Sequence, residues 1–422
     1  MSAAEPACPT VSTTDRHILR ELAKAVRDIA ALPEQEEKAA RWKRLNRLER
    51  VTPPVLALTS NIWNEMPPET RIQTSGEFAQ SYERDLRRRV YQHKHFPDDR
   101  VVAANIPVPL VLEYTGWGIE TQTTAPEQKT GARRYNTVLH SEADLDRLTL
   151  PRVTLDRDAT ERNFTAAREV FGDVLEVERT VYWGNNYGIA PMDMLAVWRG
   201  FDRLFIDLLD NPAFVHRAMD IIVDGHLGVV DQHAKQGLLK LNNRRHDLVG
   251  TAAVGYTDEL PAAGFDPLHV RFKDLWGTCA SQIFAEVSPD MHEEFSLQHE
   301  RRFLDRFGLT CYGCCEPLHK KIGILRKIPN MRRIAVSPWA GVAESAEQMG
   351  SKYIFSWRPN PAVLASDKWD AAGARRQIRE TLRKTRGCIV EIILKDIETC
   401  RNEPRRLFEW VALAREEAAA VG

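Results

Sequence analysis

Apolar positions along this chain follow two alternating rhythms, and their alternation predicts a layered α/β fold. Ile18, Leu19, Leu22, Val26, Ile29 and Leu32 have helical spacing. Thr13 or Thr14 is placed to cap that helix, and Pro33 divides it from a second carrying Trp42, Leu45 and Leu48. The pair predicts an N-terminal helical extension over residues 1–50 that covers one end of the domain or meets a second subunit. Residues before about Pro9 read as a disordered tip. Further on, residues 51–58 predict a short strand and residues 78–92 an amphipathic helix. On that helix Arg84, Arg87, Arg88 and Arg89 read as a solvated face, with phosphate attraction as the alternative. Residues 101–114 are strand-like with prolines at the edges, and 116–135 read as a long loop.

The pattern grows more regular towards the C-terminus. Residues 174–183 predict a strand, and 192–209 and 213–237 predict helices. Strands are then expected at 248–254, 271–275, 309–312, 332–336, 353–356 and 388–394, with helical segments between most of them and a last helix at 404–418. About eight strands in βα units predict a (β/α)8 TIM barrel over residues 51–422.

Composition narrows the functional classes. Of 422 residues, 43% are apolar and 28% charged, as in ordinary globular proteins. A net charge of −1 gives no electrostatic case for nucleic acid or an anionic membrane. Seven irregularly spaced cysteines do not form a disulfide framework and suggest a reducing cytoplasm. The first residues lack a basic start and an apolar run, and no stretch approaches a membrane span.

Barrel enzymes gather their chemistry where strands end. The run Leu309-Thr310-Cys311-Tyr312-Gly313-Cys314-Cys315-Glu316-Pro317-Leu318-His319 opens as a buried strand and stops at a glycine and two cysteines. Other expected strand ends supply Tyr182, Asp258, Glu259, Asp274, Ser337, Trp339, Arg358, Asn360, Lys395 and Asp396. About half of the acidic residues among them suit helix caps. Adjacent cysteines in a strand face opposite ways, so both can serve one ion only where the strand has ended. Gly313 and Pro317 suit such an ending. Thiolates select zinc, which makes Cys314 with two or three of Cys315, His319, Glu398 and Cys400 a candidate metal set. The alternative is that these cysteines are small buried packing residues. His292, beside Glu293 and Glu294, is a candidate proton carrier on a helix.

The runs Tyr256-Thr257-Asp258-Glu259-Leu260-Pro261, Asp274-Leu275-Trp276-Gly277, Ser288-Pro289-Asp290-Met291-His292-Glu293-Glu294-Phe295, Tyr312-Gly313-Cys314-Cys315-Glu316-Pro317-Leu318 and Lys395-Asp396 resemble the uroporphyrinogen decarboxylase superfamily. The similarity spans roughly residues 51–418. It implies a (β/α)8 barrel with one of two chemistries: cofactor-free decarboxylation, or zinc-dependent methyl transfer involving corrinoid proteins or thiols. The Arg-Gln-Ala-Gly-Arg type segment of the true decarboxylases has no counterpart near residues 51–71. The methyltransferase branch carries a His-x-Cys pair at a strand end. Cys314 matches its cysteine, and Tyr312 stands in place of the histidine.

The resemblance therefore implies a zinc-dependent methyltransferase working between a small O- or N-methyl compound and a corrinoid protein. No Asp-x-His-x-x-Gly motif occurs, so cobalamin would arrive on a partner or free. Asp258, Glu259, Asp274 and His292 are the candidate catalytic residues. Tyr182, Trp276, Tyr312, Trp339, Arg358 and Lys395 are the candidate substrate contacts. A homodimer is possible. The alternatives are a cofactor-free decarboxylase or lyase using Arg358, Lys395 and Asp258 on an acidic small molecule, and a non-catalytic binding barrel.

Overall fold

The computed structural model of the protein describes residues 9–59, 62–124, 134–181 and 186–421. Most of the expected disordered tip, Cys8 within it, and Tyr182 lie outside these residues. Two helices open the fold, α1 (Thr13–Ala30) and α2 (Pro33–Asn46). The Ser12 hydroxyl, rather than Thr13 or Thr14, caps α1 by accepting the Asp15 N–H at 3.0 Å. Pro33 sits in the first turn of α2, where a missing N–H costs nothing.

Among the described residues fifteen strands follow in chain order: β1 (Val55–Ala57), β2 (Asn105–Pro109), β3 (Leu112–Tyr114), β4 (Gln122–Thr124), β5 (Arg134–Asn136), β6 (Val153–Leu155), β7 (Glu176–Thr180), β8 (Tyr187–Ile189), β9 (Leu248–Val249), β10 (Ala253–Val254), β11 (Trp276–Cys279), β12 (Leu309–Tyr312), β13 (Met331–Val336), β14 (Ile354–Trp357) and β15 (Ile389–Leu394). Seven of them form one parallel sheet in the order β1-β15-β14-β13-β12-β11-β8. Helices such as Val342–Met349, Ala371–Lys384 and Arg405–Ala419 flank it. β2 and β7 form a separate parallel pair. The expected loop at 116–135 contains the small antiparallel pair β4–β5.

The sheet is barrel-like, yet among the described residues it does not close into the expected ring of eight. Its open edges are β1 and β8, and the first can be accounted for at β1 and β2. In β2 the even positions turn towards β7, since Leu110 N–H donates to the Thr180 carbonyl and Ala104 accepts from Glu176. The odd positions therefore turn away from β7, and two of them, Pro107 and Pro109, have no N–H to offer a further strand. β1 is instead satisfied by side chains. Val55 N–H donates to Asp99 Oδ2 at 2.8 Å and Ala57 N–H to Asp98 Oδ2 at 3.0 Å. A seam is left between β1 and the β2–β7 pair.

The α2 helix packs where the sheet strands begin. Asn46 donates to the Val254 and Tyr256 carbonyls and accepts from Arg333 on β13, all within 3.0 Å. Cys311, Arg333, Ser356 and Glu391 share the inner face of β12 to β15. Arg333 pairs with Glu391 at 2.8 Å, and Ser356 donates to the same carboxylate. The turn between β9 and β10 packs against this face. Gly250, at φ +60°, lies so close to Cys311 that a Cβ would meet its Sγ at 3.2 Å.

Candidate active site: a dithiol and a lysine

β12 stops at Tyr312 because Gly313 takes φ +91°, a turn in which a Cβ would strike Leu318. The chain then leaves the strand's alternation, and both following thiols come to one place. Cys314 Sγ and Cys315 Sγ are 3.5 Å apart and half-buried. Lys395, one residue past β15, is buried and spends its three N–H groups on three acceptors. Its Nζ is 3.2 Å from Cys314 Sγ, 3.4 Å from Cys315 Sγ and 2.6 Å from Asp396 Oδ2. Cys315 Sγ also lies 3.6 Å from Asp396 Oδ2. Asp396 holds a left-handed backbone at φ +57°, a conformation seldom kept without a constraint around it.

This geometry separates the two thiols. The hydrogen bond from Cys315 does most to pull the Cys314 pKa down to about 7; burial opposes it and the Lys395 charge assists. Cys315 is pushed upward, first by the same bond and then by burial. Burial works against the Lys395 ammonium, but the Cys314 thiolate and Asp396 outweigh it and raise its pKa to about 12. Near neutral pH the cluster is a thiolate beside a thiol and an ammonium, an arrangement suited to a nucleophile or a soft ligand.

The other candidate ligands are not gathered there. His319 Nε2 faces Glu344 at 3.5 Å. Glu398 is exposed in the following loop. Cys400 is buried in the core, and burial first among its causes raises its thiol pKa to about 11. Among the described residues no group of three or more His, Cys, Asp or Glu side chains is placed to hold a metal ion.

The candidate acid–base residues lie elsewhere. Asp258 pairs with Arg47 and, at 3.3 Å, with Lys43 of α2; Glu259 pairs with Arg332 at the start of β13. Asp274 is fully buried against Arg271 at 2.7 Å and precedes β11. All three therefore stand where strands begin, opposite the thiols. Trp276 is buried and donates to the Gly255 carbonyl at 2.9 Å. Trp339 is 69% exposed after β13. Asp258 is thus remote from Arg358 and Lys395, its expected companions in the lyase alternative.

Tyr312 faces the helix layer, not the inner face. Its hydroxyl donates to Glu300 Oε2 at 2.6 Å and lies 2.7 Å from His292 Nε2. Ser281 donates to the other oxygen of Glu300 at 2.8 Å. Burial depresses the His292 pKa to about 3 and raises that of Glu300 to about 7. Glu316 ties this layer to the cysteines by accepting the N–H groups of Cys314 at 2.9 Å and Ser281 at 3.3 Å. Tyr312 and His292 thus support the turn from behind.

A cavity of about 790 Å³ opens along the β1–β2 seam and reaches Lys395 and Asp396. This is the size of a small-molecule site. Its wall includes Trp63, Arg88, Arg89, Arg100, Glu178 and His246. His246 Nε2 lies 3.4 Å from Glu178 Oε1, and Arg244 pairs with the same carboxylate. Against burial, hydrogen bonding to His246 and the charge of Arg244 bring the Glu178 pKa down to about 2. Of the arginine run at 84–89, Arg88 and Arg89 line this cavity, while Arg84 is exposed.

No protein-family model matches the chain, and the search of curated proteins finds no match. Among solved structures, a methyltransferase from Methanosarcina mazei is similar over 90% of this chain and 98% of its own, with 12% identity and a TM-score of 0.46.

Proposed function

We propose that the protein is a methyl-transferring enzyme in which the Cys314 thiolate meets the methyl carbon. The observation that carries this reading is the placement of Cys314 Sγ 3.2 Å from the Lys395 ammonium, at the ends of β12 and β15. In the half-reaction the thiolate attacks the methyl group of a small O- or N-methyl compound. A sulfur–carbon bond forms as the carbon–oxygen or carbon–nitrogen bond breaks. The electron pair leaves on the heteroatom, which takes a proton from solvent. Lys395 keeps the sulfur anionic, and Cys315 holds it in place. The onward acceptor in this reading is a corrinoid protein or free cobalamin, as the sequence resemblance implies.

The test is intact-mass and peptide mass spectrometry after incubation with a panel of O- and N-methyl donors. A gain of one methyl group on Cys314, lost in Cys314→Ser, is expected. Metal analysis of the same preparations separates the zinc form of this chemistry. One zinc per chain that disappears in Cys314→Ala would make the thiolate a ligand instead of a methyl acceptor. Unmethylated, metal-free protein under every donor would reject both.

A further inference from the structure

The seam cavity has cationic groups that its own side chains do not use up. Arg244 is bound by Glu178 and Asp247, Arg89 by Asp85, and Lys395 by Asp396 and the thiols. Arg88 differs. It is half-buried, its guanidinium lies 4.9 Å from the ring centre of Trp63, and no side-chain or carbonyl oxygen among the described residues accepts a hydrogen bond from it. The Nε of Arg100 is buried without a hydrogen-bond partner; the neighbouring Asp98, whose charge it faces, already accepts the N–H groups of Ala57 and Arg100. Behind the wall, Arg358 uses Nη2 on Thr251 at 2.7 Å, while its Nε and Nη1 are buried without partners. Donors of this charge are costly to shield from water unless an anion meets them. The same cavity offers an indole face and the apolar Leu58 and Val101.

We infer that this cavity binds a small organic anion, a carboxylate or phosphate on a flat apolar body. Arg88 and Arg100 take the charge and Trp63 takes the body. Guanidinium groups match both kinds of anion through paired N–H donors. The inference rests on the proposed methyl transfer only in calling the ligand a substrate, because Lys395 borders both the cavity and Cys314.

The experiment is a calorimetric and tryptophan-fluorescence titration of the full chain with benzoate, phenyl phosphate and the neutral benzamide. At least one of the anions binds, with benzamide weaker by about tenfold or more. Arg88→Gln and Arg100→Gln each weaken binding by about tenfold, and Arg88→Lys retains more of it than Arg88→Gln. The preferred anion tells a carboxylate ligand from a phosphate one. Anion binding in a protein whose Cys314 never gains a methyl group supports this inference while the transfer reading falls. Equal affinity for benzamide, affinity unmoved in both glutamine variants, or no binding of either anion by protein with a native circular-dichroism spectrum would overturn it.

Discussion

At the scale of single residues the chemistry turns on one ammonium. Lys395 is buried with all three donors engaged, so removing it takes away both the charge and the bonds that favour the Cys314 thiolate. Reactivity of Cys314 in the native protein should rise with pH through about 7. In Lys395→Met the midpoint moves up, and alkylation by iodoacetamide at pH 7 slows by about fivefold for the first unit of the move. The pH dependence of the labelling rate measures this, and an unmoved midpoint would show that Lys395 does not set the thiolate. The cysteines were legible in the sequence because a glycine and a proline bracket them, and that pattern ends a strand. The carboxylates were misplaced by register. Residues 271–275 read as a strand, which put Asp274 at its end, whereas the strand begins at Trp276 and Asp274 stands before it. Asp258 and Glu259 were displaced in the same way, because residues 248–254 fold as the hairpin β9–β10 instead of a sheet strand.

At the scale of elements, the turn carrying the thiols is held by the polar layer behind β12. The segment before its buried carboxylate, Glu293–Leu297, is π-helical, and Glu300 follows on the next helix, Gln298–Leu304. Glu300 has a folded pKa of about 7 against an ordinary value of 4.5. The folded protein therefore keeps a proton that the unfolded chain gives up between those values. Stability from this group is complete below pH 4.5 and is lost as pH rises to 7. The loss is about 3 kcal/mol. His292 works in the opposite sense, since its pKa is depressed to about 3 and its contribution is lost as pH falls from 6.5. Comparing Glu300→Gln with the parent cancels the histidine. Urea unfolding at pH 5 and pH 8 should find the variant gaining about 2–3 kcal/mol on the parent between the two. Equal pH dependence in both proteins would mean that Glu300 is not held protonated. Apolar periodicity located α1, α2 and β12 to β15, but it is blind to a polar layer of this kind, whose members are distant in sequence.

At the scale of the whole molecule, the opening at β1 joins stability to ligand access. A closed ring would satisfy β1 with a neighbouring strand, and here the carboxylates of Asp98 and Asp99 do that work while leaving space beside them. The sequence contained the cause of the opening at β1 in Pro107 and Pro109, read only as strand-edge markers. Their effect on closure depends on which edge of β2 they face, and that follows from the pairing with β7. Asp99 is buried, accepts the Val55 N–H, and pairs with Arg41 at 3.0 Å. Asp99→Ala strands that N–H and should cost about 1–3 kcal/mol. The loss should also be local. Hydrogen exchange in the variant should quicken at Val55 while the amides of β12 to β15 keep their protection, because those strands retain partners on both sides. Uniform loss of protection across all seven sheet strands would instead make the seam an integral part of one cooperative unit, unable to open for a ligand without unfolding the sheet.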